Sequence, residues 1–167
     1  MKSKTYYNKI AKGYNELYGE EQLNKWKVAK KIINLSKKDN ILDIGCGTGL
    51  ITQEIAKKVS FVIGLDNSEE MINHAKNTSN GKYVISDAKK LPFPDNSFSK
   101  VVSFTMIQDL LNWTSVLKEM KRVSNGDILL TVQKRNKKVS DLKKKLSKFF
   151  TIKKTLEEEK DFIFLLK

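Results

Sequence analysis

The stretch Ile41-Leu42-Asp43-Ile44-Gly45-Cys46-Gly47-Thr48-Gly49 joins a short apolar run to a turn with three glycines in five positions. An apolar run of this kind, ending abruptly in glycine, reads as a strand buried on both faces. Glycines at such a junction let the backbone approach a ligand where a Cβ would collide, and a helix over about Thr48 to Lys58 then aims its first amides at that ligand. The spacing is not that of a dinucleotide fingerprint, whose third glycine falls five places after the first, at Leu50 here. Nor does a Gly-Lys-Ser/Thr follow, so a Walker loop is excluded. Asp43, two residues before the first glycine, repels a pyrophosphate and attracts an ammonium or sulfonium group.

The ligand with those charges is S-adenosylmethionine, and the downstream residues extend the reading. Phe61-Val62-Ile63-Gly64-Leu65 is a second buried strand ending in Asp66, 23 residues after Asp43, where an acceptor-only carboxylate suits two ribose hydroxyls. The alternative for Asp66 is an acid placed for the helix that Ser68-Glu69-Glu70 caps, running to about Asn77. Lys82 to Ser86 forms a third strand ending in Asp87. Leu91 to Ser97 holds both prolines of the chain and is a rigid loop. A fourth strand covers Lys100 to Phe104, a helix Trp113 to Val123, and a fifth strand Asp127 to Gln133 after an Asn125-Gly126 turn. Alternating strand and helix signals predict a parallel sheet covered by helices.

Asp43 to Gly49 resembles motif I of the class I methyltransferases, in particular the type 11 group. The resemblance implies a doubly wound, seven-stranded, mostly parallel α/β sheet with helices on both faces and a C-terminal antiparallel hairpin. It also implies S-adenosyl-L-methionine as cofactor, with Gly45, Cys46, Gly47 and Gly49 in the turn against it. Asn67 and Met71 fall beside the adenine, and Asp87 with Ala88 takes the adenine edge. Leu91 to Phe98 is similar to the family's Pro-Phe-Pro-Asp-Asn-Ser-Phe-Asp loop, with Ser99 in place of the final Asp. Tyr6 to Asn15 resembles the Tyr-Asp-x-x-Ala-x-x-Tyr-Asp lid, with Asn at positions 8 and 15. Tyr7 and Tyr14 then shield the sulfonium and present electron-rich faces to it, or else only anchor the first helix.

Ser103 to Asp109, Thr105 included, is expected to floor the space between cofactor and acceptor. Asp109 is the candidate catalytic proton acceptor, and its alternative is a cap for the helix at Trp113. There is no Asn-Pro-Pro-Tyr for exocyclic base amines and no second cysteine for C5 pyrimidine chemistry. His74 lies mid-helix as a surface residue, and one histidine with one cysteine makes an intrinsic metal site improbable.

With 167 residues, a single domain is expected: a helical cover over 1–38 and a core over 39–167. Leu23, Trp26 and Ile33 mark one face of a covering helix that ends at Asp39-Asn40. Val139, Leu142, Leu146, Phe149 and Phe150 have helical spacing with lysines off the stripe, and a hairpin follows around Glu157 to Glu159. The lone cysteine, the lack of an apolar run of ~18 residues and the absence of a signal-like start predict a soluble, cytoplasmic protein without a membrane partner. Net charge is +13, of which +7 lies in 1–38 and +9 in 134–154. Such flanks fit RNA as acceptor or partner. Equally, 30 of the 32 basic residues are lysine, a compositional habit that needs no ligand. With no insertion after the fifth strand to wall off a small substrate, tRNA or rRNA is the expected acceptor, and a small activator protein is a further possible partner. A protein or a quinone precursor is the alternative acceptor. A non-catalytic cofactor- or RNA-binding subunit is the alternative of another class.

Overall fold

The computed structural model describes residues 4–79, 81–110, 112–136 and 139–167. Lys2, Lys137 and Lys138 of the basic flanks lie outside the described residues. In chain order the elements are α1 (Lys4–Ile10), α2 (Tyr14–Ala29), β1 (Asn40–Ile44), α3 (Leu50–Ala56), β2 (Phe61–Asp66), α4 (Glu69–Thr78), β3 (Lys82–Ile85), β4 (Phe98–Ser103), α5 (Trp113–Val123), β5 (Ser124–Gln133), α6 (Val139–Phe149), β6 (Ile152–Glu157) and β7 (Asp161–Leu166). The strands form one seven-stranded sheet in the order β3-β2-β1-β4-β5-β7-β6. The first five are parallel to one another, and β7 runs antiparallel between β5 and β6. The order reverses between β1 and β4, which opens a crevice at their carboxyl ends, where ligands of such sheets bind.

Alternation along each strand divides the core between two faces. Leu42, Ile44, Val101, Ile128, Leu130 and Val132 pack under α5 and α6. Ile41, Val62, Val102, Leu129 and Ile163 pack under α2 and α3. Tyr83 packs with Ile72 and Ala75 of α4.

Several boundaries differ from the sequence expectation for identifiable reasons. Helix α3 starts at Leu50, because Gly49 takes a left-handed φ of 78° and stands outside the helix as its N-cap. The covering helix ends at Ala29, not Asp39, and Ile33 is buried from the turn beyond it. Its inner face is Gln22, Lys25, Trp26 and Ala29, whereas Leu23 is only half-buried. Asn125-Gly126 is not a turn but lies within β5. There the pairing with β4 skips a residue at Ser99, and a Cβ on Gly126 would sit 2.1 Å from the Ser99 carbonyl oxygen. Glycine marks a bulge where two backbones close on each other, not a reversal. Ser99 hydrogen-bonds the start of β1 through its amide and hydroxyl, meeting Asn40 and Asp39, so it fills the place of the expected Asp structurally.

The N-terminus of α4 is as read: the Ser68 hydroxyl accepts from the Met71 amide at 3.2 Å. The same hydroxyl donates to the Asn8 side-chain oxygen at 2.6 Å, tying α1 to the turn after β2. Ser68→Ala removes a cap and this tether together, and is expected to cost about 1–2 kcal/mol in urea unfolding, against less than about 1 for Asn8→Ala.

Candidate active site

The crevice at the strand ends holds a cavity of about 110 Å³ that opens to solvent. Its lining includes Tyr7, Tyr14, Gly45, Gly47, Asp66, Asn67, Met71, Asp87, Ala88, Thr105 and Asp109, so the structure brings together eleven of the residues expected from sequence. A smaller cavity of about 30 Å³ adjoins it, sharing Tyr14, Gly45, Gly47 and Phe104, and adds Asp43, Cys46 and Gln22. Gly49 lines neither: the Tyr83 hydroxyl stands 2.4 Å from where its Cβ would be, so its lack of a side chain serves helix packing and not the ligand.

The glycine turn is held from both sides. Gly45 and Cys46 amides donate to the Leu65 carbonyl, and the Gly47 amide donates to Asp66 Oδ2 at 3.0 Å. Asp66 Oδ1 accepts from the Ser68 amide, and the side chain lines the cleft. Burial pushes the Asp66 carboxyl up, with those amides pulling it back. Above Gly45, at φ 75°, sits Met106, whose Cγ would lie 2.5 Å from an added Cβ. Asp87 is exposed at the cleft rim and accepts from the Lys89 amide.

Asp43 is enclosed, 1% exposed, and its Oδ2 accepts a 2.6 Å hydrogen bond from Thr52. Burial pushes its carboxyl up to about 7, against the Thr52 hydroxyl, and the nearby Asp66 adds to the rise. In the same cavity Gln22 is 8% exposed and its Oε1 has no hydrogen-bond partner. An unpartnered amide oxygen beside a buried carboxylate fits a ligand that brings an ammonium group. Cys46, by contrast, is no nucleophile: burial raises its thiol, and Asp43 and Asp66 add to that.

The lid tyrosines form a chain of rings, with Tyr7 and Tyr14 centroids 6.4 Å apart and Tyr14 and Tyr18 5.1 Å apart. Tyr7 donates to Asp109 Oδ2 at 2.5 Å across 102 residues of sequence. Burial, then that hydrogen bond, pushes the Tyr7 phenol far up, and burial does the same to Tyr14, so both remain neutral donors. Asp109 is therefore not the cap of α5. Asn112 caps it, accepting from the Thr114 amide. The asparagines at 8 and 15 serve as acceptors, taking hydroxyl protons from Ser68 and Thr48, each at 2.6 Å. The lid thus docks on the two cofactor turns through neutral bonds where the family pattern has carboxylates.

Gln22 has no signal in the sequence, whereas Phe104 and Met106 fall within the expected floor, Ser103 to Asp109, without a role of their own. A glutamine in a charged helix carries no local signal, and Met106 matters only because the chain after β4 folds back over Gly45. Of the basic helix α6, Lys143 and Lys145 lie over the rings of Phe162 and Trp113, at 3.8 and 5.4 Å. Lys144 and Lys148 remain exposed. Among the described residues no group of three His, Cys, Asp or Glu side chains could hold a metal ion, and no helix is long and apolar enough to cross a membrane.

A Rossmann-like sheet with an acid at the ends of β1 and β2, another just beyond β3, and a glycine turn between the first two, is the arrangement of the S-adenosylmethionine-dependent methyltransferases. Residues 42–130 match the family described as Methyltransferase domain, and the chain belongs to it. It is 40% identical over 129 residues to the uncharacterized protein MJ1252 of Methanocaldococcus jannaschii, covering 76% of this chain and 49% of that one. It is 32% identical over 116 residues to a demethylmenaquinone methyltransferase of Corynebacterium glutamicum, covering 69% and 49%. The chain thus spans about half the length of these relatives. Its fold is shared with the methyltransferase in the complex with the Haloferax volcanii Trm112 methyltransferase activator, at a TM-score of 0.81 and 14% identity, covering 96% of both chains.

Proposed function

We propose that the chain transfers a methyl group from S-adenosylmethionine to RNA. The single observation behind the transfer reading is the pairing of the buried Asp43 cavity with the larger cleft floored by the chain after β4. In this reading Asp43 and Gln22 accept from the methionine ammonium, Asp66 from the ribose hydroxyls, and Asp87 and Ala88 meet the adenine beside Asn67 and Met71. Gly45, Cys46 and Gly47 bring backbone close to the ligand. Tyr7 and Tyr14 exclude water, and Thr105 belongs to the floor. The cofactor supplies an activated methyl group on a cationic leaving group, so the protein's task is alignment and exclusion of water. Asp109, reached from the cleft, accepts the proton of the attacking group once Tyr7 gives up its hydrogen bond.

RNA as acceptor is supported by the open cleft and by the exposed lysines near its rim and along the flanks. Lys4 lines the cleft, and Lys9, Lys12, Lys144 and Lys148 are exposed. Only residues 134–138 separate β5 from α6, which leaves no inserted wall there. A small activator protein as partner has support from the Haloferax volcanii complex, and a cytoplasmic location completes the reading. A quinone precursor is the second reading, favoured by the name of the Corynebacterium relative. Label from methyl-tritiated S-adenosylmethionine, offered unmodified tRNA, rRNA, total protein and a lipid extract in parallel, tests it. Label in RNA, falling steeply with salt, is expected. Label in the lipid extract alone contradicts the RNA reading, and label nowhere with or without an activator contradicts transfer.

Asp109→Asn is expected to lower the single-turnover methyl-transfer rate about a hundredfold while leaving S-adenosylmethionine affinity within about twofold, as suits loss of a proton acceptor.

A further inference from the structure

Beneath the cleft floor lies a buried polar cluster that the cofactor contacts do not use. The Lys25 side chain is 0% exposed, as is that of Asp161. The Lys25 ammonium donates to Glu21 Oε1 at 2.8 Å and to Thr105 Oγ1 at 2.9 Å, and stands 3.2 Å from Asp161 Oδ2. The Thr105 hydroxyl donates to Asp161 Oδ2 at 3.1 Å, and the Thr105 amide donates to Thr131 Oγ1 at 2.9 Å. Three elements distant in sequence, α2, β5 and the first residue of β7, converge on one residue of the loop after β4.

That residue is in a costly conformation. Thr105 has φ 57°, and among the described residues only Asn96 is another non-glycine with positive φ. Burying a lysine and an aspartate does not in general stabilise a fold more than apolar side chains would, so stability alone does not explain the cluster. Its position does. Phe104, on one side of Thr105, lines both cavities and meets the Trp26 ring edge-on at 6.2 Å. Met106, on the other side, covers Gly45. Left-handed backbone at 105 is what turns these neighbours toward the cleft.

We propose that Lys25 and Asp161 are positioning residues which hold Thr105 in its left-handed conformation and so fix Phe104 and Met106 as the floor of the cofactor cleft. This rests on the cleft being the cofactor site. The left-handed preference lost by a threonine amounts to a factor of about ten in the population of the loop, and glycine at 105 bears no such cost.

The test compares wild type with Lys25→Met, Thr105→Gly and the double variant, by amide hydrogen exchange of residues 104–110 without ligand and by calorimetric titration with S-adenosylmethionine. Lys25→Met is expected to speed exchange of the segment and to weaken binding, each about tenfold. Adding Thr105→Gly is expected to bring both back to within about threefold of wild type, although the melting temperature stays low because Asp161 remains buried without its cation. A merely structural role predicts that affinity follows the melting temperature and that glycine rescues nothing. Unchanged exchange in folded Lys25→Met, or a double variant no better than the single one, overturns the proposal. Should Lys25→Met not fold, Asp161→Asn keeps an acceptor for Thr105 while removing the charge, and is expected to show the same pattern at about threefold. A wild type that binds no S-adenosylmethionine overturns the cofactor site, and the exchange arm still decides the clamp.

Discussion

Replacing Asp43 by asparagine is expected to weaken S-adenosylmethionine binding about a hundredfold, near 2.7 kcal/mol, while raising the stability of the ligand-free protein above pH 7. The opposite signs share one cause. The buried Asp43 carboxyl accepts from the Thr52 hydroxyl, and burial lifts it from 3.8 to about 7 against that bond. Because the folded form holds the proton more tightly, the contribution of this group to stability is full below about pH 4. It is lost as pH rises through about 7. The loss is on the order of 2–4 kcal/mol at pH 8, and asparagine, the neutral isostere, avoids it. Binding has the reverse dependence, since an ammonium ligand needs the ionised carboxylate. Wild-type affinity should fall up to about tenfold per pH unit below 7, and the Asn variant should lose that slope. Calorimetric titrations and thermal melts from pH 6 to 8 check both. A variant that binds as wild type does, with the same pH slope, removes Asp43 from the site.

The second large effect is expected from Gly45→Ala. Its Cβ would meet Met106 Cγ at 2.5 Å and Cβ at 2.7 Å, on a backbone with φ 75°. Left-handed strain of about 1–2 kcal/mol and overpacking of about 1–3 kcal/mol add to roughly 2–5 kcal/mol, or a melting temperature about 6–15 °C lower. Binding should drop below detection, because relief of the clash drives Met106 into the cleft. Gly47→Ala is the control. Its Cβ would meet only Met71 Sδ, at 3.9 Å, so its stability loss should stay near the strain alone, about 1–2 kcal/mol. Met106→Ala in the Gly45→Ala background should recover most of the overpacking component, as read by urea unfolding. A double variant no more stable than Gly45→Ala would place the cost elsewhere.

The residues that were legible in sequence are those whose signal is local. A strand run ending in an acid and a glycine turn declares itself within nine residues. The cap is read from Ser68-Glu69-Glu70 alone, and the Ser68 hydroxyl accepts from the Met71 amide. What escaped depends on contacts between residues far apart in sequence. Lys25 looks like a solvated lysine of a charged helix, and only the arrival of Asp161, 136 residues on, makes it interior. Tyr7 and Asp109 are likewise joined only by the closing of α1 over the strand ends. Asn125-Gly126 has the chemistry of a turn, but the close approach of Ser99 decides its conformation. Net charge likewise does not say where each lysine points. On α6 it counts lysines whose ammonium groups lie over Phe162 and Trp113 together with those facing solvent.

Isothermal titration of the folded chain with S-adenosylmethionine decides whether the cleft between β1, β2 and β4 holds that ligand. One site per chain, with a dissociation constant in the micromolar range and affinity lost in Asp43→Asn, is the predicted result. No detectable heat with millimolar ligand, from protein whose circular dichroism is that of a folded α/β domain, would contradict it.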